Sequence, residues 1–153
     1  MEVADLEYFE DLVRGVEKNL GSLDEALSEF LDRDIAQVDP IERAVLRIAA
    51  YELRHRVDVP YRVVINEAIE TTKRFGSEHG HTFVNGVLAA LAETERPGEV
   101  EVVVGRAVGA LDTRPRHEGR RVPAELHQVA VVRLAELVPE GLAQLEHLAG
   151  SRA

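Results

Sequence analysis

The apolar residues Leu6, Phe9, Leu12, Val13, Val16 and Leu20 recur at three- and four-residue steps, which places them on one stripe of an amphipathic helix. Gly21 is expected to end that helix. Ser22 with Glu25 three positions on has the spacing of a capping box, and Leu23, Leu27, Phe30 and Leu31 supply the buried face of a second helix closing near Arg33. Asp39 before Pro40 reads as an N-cap followed by proline at the first helical position, where its missing amide costs nothing. The helix that follows, Ile41 to Leu53, is apolar nearly all round and should therefore be central. Pro60 punctuates again, and Val63, Val64, Ala68, Ile69 and Thr72 fit a fourth helix that closes around Phe75 and Gly76, with Gly76 suited to a left-handed C-terminal position. A fifth helix from about Glu78 presents Phe83, Val84, Val87, Leu88 and Leu91. The pattern predicts an all-α bundle.

After Ala92 the periodicity stops, and Glu93 to Glu99, with Pro97 and Gly98, has linker composition. The reading therefore divides the chain into a helical domain over residues 1–95 and an extension over residues 96–153. Within the extension, Val100 to Val104 fits a short strand and Arg114 to Arg121 a basic loop. Pro123 to Leu148 has helical spacing broken by Pro139 and Gly141, which predicts a helical hairpin.

At 153 residues the chain has material for one sizeable core. Its net charge of −10 lies in the first part: residues 1–95 hold 10 basic and 20 acidic side chains, and residues 96–153 hold 8 of each. Phosphate binding by the whole surface is thereby disfavoured, so any contact with nucleic acid has to be local or assisted by a partner. There is no cysteine, which removes disulfides, thiolate metal sites and a cysteine nucleophile from consideration. No window approaches the roughly 18 apolar residues of a membrane span, and the start is acidic where a secretory signal is basic. A cytoplasmic protein with no membrane association is expected. No Gly-rich phosphate loop, His-Glu-x-x-His or Gly-x-Ser-x-Gly motif occurs, so no catalytic centre or cofactor is expected.

Arg47, Arg54, Arg56, Arg62, Lys73 and Arg74 lie in sequence near Tyr51, Tyr61 and Phe75. Guanidinium groups beside aromatic rings are the ingredients of single-stranded RNA recognition, through phosphate pairing and base stacking. The alternative puts Tyr51 and Phe75 in the core and the arginines on a solvated face with Glu52, Glu67 and Glu70. Asn66 and Asn85 interrupt apolar helical stretches, where an unpaired amide costs on the order of 1 to 3 kcal/mol. A structural bond is expected for Asn66, whereas Asn85 beside Gly86 is suited to presenting an amide to RNA. His79-Gly80-His81 lacks a third spaced ligand and reads as a loop rather than a metal site.

Four spaced blocks carry a resemblance: Glu42 to Leu53, Val59 to Ala68, Phe75-Gly76, and Phe83 to Leu88. In this order they closely resemble the C-terminal two-thirds of the NusB family, and Tyr8-Phe9, Leu12, Gly15, Val16, Leu23-Asp24, Leu31 and Arg33 extend the similarity over roughly residues 5 to 92. The resemblance implies an all-helical NusB-like bundle without catalysis, acting in bacterial transcription antitermination. By resemblance the partners are a boxA element of nascent RNA and NusE, a ribosomal protein. The RNA-binding domain of ribosomal RNA cytosine methyltransferases shares the Asn-Gly-Val-Leu ending and ranks second.

Family members begin with two further helices, the first rich in arginine, which this match does not include. Their absence would expose apolar faces such as Phe9, Val13 and Val16, which the extension or a second copy in a homodimer could cover. The resemblance also places His79 and the turn before Phe83 near the RNA path, and the helix start at Glu42 near the ribosomal protein. The candidate RNA-binding set is therefore Arg54, Arg56, Tyr61, Arg62, Lys73, Arg74, His79, Phe83 and Asn85, with Glu42 and Arg43 as partner contacts. The competing function is a NusB-like interaction scaffold that does not bind RNA.

Overall fold

The computed structural model describes residues 3–100 and 124–137. They include the helices α1 (Val3–Lys18), α2 (Leu20–Ser28), α3 (Pro40–His55), α4 (Tyr61–Phe75), α5 (Gly80–Glu95) and α6 (Ala124–Leu137). A 3-10 turn, Ile35–Gln37, precedes α3, and residues 97–100 are also helical. No strand occurs among the described residues, as the all-α reading requires.

Helix α3 is the axis of the bundle and packs against α1, α2, α4, α5 and α6. Its start follows the sequence signal: the Asp39 carboxylate accepts from the amides of Ile41 and Glu42, with Pro40 in the first turn. Every residue from Glu42 to Leu53 is buried, so α3 must neutralise its own polar side chains internally. Arg47 does so through a two-pronged bond to Asp24 of α2, with Nε and Nη2 at 2.8 and 2.9 Å from the two carboxylate oxygens. This fixes α2 across α3.

The junction of α1 and α2 differs from expectation. Gly21 lies inside α2, and the Ser22 hydroxyl donates to the carbonyl of Asn19 at 3.1 Å instead of forming a capping box with Glu25. The break falls at Asn19, whose backbone and side-chain amides both donate to the Gly15 carbonyl, at 3.1 and 2.7 Å. Helix α2 stops at Ser28, leaving Phe30 and Leu31 half-buried beyond its end. Gly76 is extended rather than left-handed, with φ −87° and ψ −172°, and its amide donates to Thr72 O at the end of α4.

The expected linker contains a buried anchor. The Arg96 guanidinium donates to the carbonyls of Glu52, Leu53 and Arg56 at 2.8, 2.9 and 2.8 Å, and also to that of Val59. The Leu53 carbonyl lies in the last turn of α3, where onward helical partners run out, and Arg96 supplies one there; the Glu52 and Arg56 carbonyls also accept from the amides of Arg56 and Val59, each at 3.0 Å. Val100 is helical rather than extended; the rest of the expected strand, the basic loop and the second arm of the hairpin lie outside the described residues. The first arm is α6, whose Ala130, Val131 and Leu134 join the same core as Leu12, Val16 and Leu53. The chain's own extension thus packs against α1, where the Tyr8 ring lies 6.2 Å from that of His127.

Candidate functional site

The expected RNA-binding residues separate into two groups at opposite ends of α4. Arg62 and Arg74 are 12 residues apart on that helix, or about 18 Å along its axis. At the first end, Arg54 binds Glu95 at 2.6 Å. Arg56 binds Asp11 and Asp58, each at 3.2 Å, and lies 4.6 Å above the Tyr8 ring. The backbone amide of Tyr61 donates to Glu99 at 2.8 Å, and its ring is half-buried. These groups tie helices together, and of this set only Arg62 is well exposed.

The second end is open. Lys73, Arg74 and Phe75 close α4 and all three are exposed, with the Arg74 guanidinium 5.5 Å from the Phe75 ring centre. Phe75 leaves 40% of its surface to solvent, a large exposure for phenylalanine at a helix end. Four residues on, exposed His79 stands at the N-cap position of α5 without a side-chain capping bond. Phe83 is half-buried one turn into α5, and the Arg33 guanidinium stands 4.9 Å over its ring. The corner therefore collects two cation–aromatic pairs, a further ammonium and an imidazole within two helix ends.

Asn85 is exposed but two residues from Phe83, which turns it to a different side of α5. Asn66 is exposed as well, so no buried amide needed a structural partner there. Acidic side chains limit the positive field of the corner: Glu70 lies 3.7 Å from Lys73, and Asp32 binds Arg33 at 2.9 Å. The Arg33 hydrogen bond and charge hold the Asp32 carboxyl below its ordinary range.

Glu42 and Arg43 are buried, with bonds that run inward. Glu42 accepts from the Ser77 hydroxyl at 2.7 Å, and a Cβ at Gly80 would overlap its carboxylate. Arg43 donates to the carbonyls of Ile35 and Ala36. Together they set the 3-10 turn and the α4–α5 turn, and so the shape of the open corner.

Sequence reasoning missed Arg33 as a corner residue, because it meets Phe83 across 50 positions and no local pattern links them. The alternative to RNA binding put Glu52 on a solvated face. In the fold Glu52 is buried and accepts from the Tyr8 hydroxyl at 2.6 Å, while Nε2 of His127 lies 3.0 Å and 3.2 Å from its two oxygens.

A central helix buried all round and an exposed cation–aromatic corner define the chain as an all-α bundle. The family model for the NusB family matches residues 1–93. The transcription antitermination protein NusB of Xanthomonas euvesicatoria pv. vesicatoria (strain 85-10) is 65% identical over 109 residues, covering 71% of this chain and 66% of that protein. Its namesake in Xanthomonas axonopodis pv. citri (strain 306) is 74% identical over 87 residues, 57% of this chain and 55% of that protein. The chain belongs to the NusB family. It spans between about half and two thirds of the length of the curated relatives it matches.

Proposed function

We propose that this chain acts in transcription antitermination in the cytoplasm, binding boxA-type RNA together with the ribosomal protein NusE. The observation that carries the RNA part is the open corner, where Lys73, Arg74 and Phe75 are exposed beside His79 and the Arg33–Phe83 pair. A base stacking on Phe75 and a phosphate at Lys73 or Arg74 use the groups in the manner single-stranded RNA requires. Asn85, on a different side of α5, and Arg62, at the far end of α4, lie outside that contact. The acidic remainder of the surface suits a basic ribosomal protein, whose approach opposite charge would accelerate. Glu42 and Arg43 serve that contact by fixing the turns around the α3 start.

The second reading, an interaction scaffold without RNA binding, is favoured by one observation: Arg54 and Arg56 are engaged by Glu95, Asp11 and Asp58. Titrating fluorescent boxA RNA into the chain with and without NusE separates the two. Binding that is weak alone and strengthened by NusE supports the proposed function, and absence of binding in both arms supports the scaffold.

A further inference from the structure

Helix α6 lies outside the residues matched by the family model, yet it is built into the core. Leu126, Ala130, Val131 and Leu134 recur at helical spacing and are buried, and α6 packs against α1, α3 and α4. On the same face His127 is 6% exposed, and its Nε2 meets both oxygens of Glu52, itself 2% exposed, at 3.0 and 3.2 Å. A contact spanning 75 positions thus joins the extension to the axis of the bundle.

We propose that α6 is a reversibly docked helix in an apolar groove of α1, α3 and α4, latched by a protonated His127 on the Glu52 carboxylate and loosened when His127 loses its proton. Acidic side chains around Nε2 favour such a latch against the cost of burying Nδ1, which has no hydrogen-bond partner among the described residues. From α1, the Tyr8 hydroxyl donates to the same carboxylate, and its ring lies 6.2 Å from the imidazole. Asp11 of α1 is held by Arg56 and Tyr51. Arg56, just past α3, sits over the Tyr8 ring and is engaged by Asp58 as well as Asp11. From α4, Glu67 lines the recess beside His127, with Thr71. On α6 itself Glu125 and Arg133 are exposed. The groups nearest the imidazole are therefore acidic, and the nearby guanidinium is already neutralised.

Burial disfavours the charged imidazolium, but the Glu52 bond and charge, with the charge of Glu67, outweigh it and raise the His127 pKa above 6.5. A raised pKa in the docked state means that the latch is fully formed below about 6.5 and is lost as pH rises through the higher docked value. Between those two values one proton couples to docking, so the docking constant falls by up to about tenfold per pH unit.

Hydrogen–deuterium exchange of the full chain, corrected for intrinsic rates, tests this at pH 6 and at pH 8 to 9. The expected result is faster opening of α6 amides at the higher pH while α3 and α5 amides keep their protection. His127→Gln, which retains a donor but cannot titrate there, should remove the pH dependence. The imidazole NMR shift of His127 in the unmodified chain gives a second readout, with a titration midpoint expected above 6.5. A pH-independent α6, α6 and α3 opening in step, or a midpoint at or below 6.5 would each overturn the proposal. So would a folded His127→Gln chain that keeps the pH dependence.

Discussion

Asp24 and Arg47 form a two-pronged ion pair between α2 and α3, with Arg47 2% and Asp24 6% exposed. Such a pair stabilises weakly relative to apolar residues, but breaking it strands a buried charge without its counter-ion. Asp24→Ala is therefore predicted to destabilise the chain by about 3 kcal/mol or more, read as a lowered urea midpoint. A change within about 0.5 kcal/mol, the usual scale of surface substitutions, would show that the bridge does not hold α2 in place.

Two glycines should respond oppositely to alanine. At Gly15 a Cβ would fall inside the Tyr51 ring, which cannot swing aside freely because its hydroxyl donates to Asp11 at 3.0 Å. Gly15→Ala should cost about 1 to 3 kcal/mol through overpacking. At Gly86 nothing lies within 4 Å of a Cβ, so Gly86→Ala should stabilise α5 by about 0.5 to 1 kcal/mol. Thermal unfolding of both variants distinguishes these signs.

Arg96 holds four carbonyls around the end of α3. Arg96→Ala should cost about 1 to 3 kcal/mol, since the Leu53 and Val59 carbonyls lose this donor while those of Glu52 and Arg56 keep a backbone amide. The loss should appear first as faster amide exchange in the last turn of α3 and in the loop carrying Val59.

Of the three tyrosines, Tyr8 and Tyr51 should ionise late. Burial pushes both phenols up, followed for Tyr8 by the charge of Glu52 and for Tyr51 by its bond to Asp11, which brings Tyr51 to about 12. Because the folded pKa is raised, the stabilisation is present below about 10 and is lost as pH rises through the folded value. An ultraviolet titration of the native chain should show these two phenolates well above pH 10, and denaturant should return them to the ordinary range.

The helices were legible where a local signal had no competitor. Asp39 and Pro40 fix the start of α3, and the all-round apolar pattern of that helix identified the axis. Ser22 and Glu25 misled because the break falls at Asn19, so α2 began two residues before the expected cap. The corner was half legible: Lys73, Arg74 and Phe75 are neighbours in sequence, whereas Arg33 reaches Phe83 through the tertiary fold. Arg54 and Arg56 look like free cations in sequence because Glu95, Asp11 and Asp58 pair with them across elements or a loop. The burial of Glu52 depends on Tyr8 and His127, one from each end of the described chain, and no spacing rule connects them.

RNA binding at the α4–α5 corner is tested most directly by the salt dependence of boxA RNA binding in the presence of NusE. Each phosphate contact contributes about one to the slope of log affinity against log salt. The double substitution Lys73→Ala and Arg74→Ala should therefore weaken binding and reduce the slope by about 1 to 2. Phe75→Ala should cost about 1 to 3 kcal/mol of affinity with little change in slope, as loss of a stacking platform requires. An unchanged slope and affinity in the double variant, with its fold intact, would contradict the account.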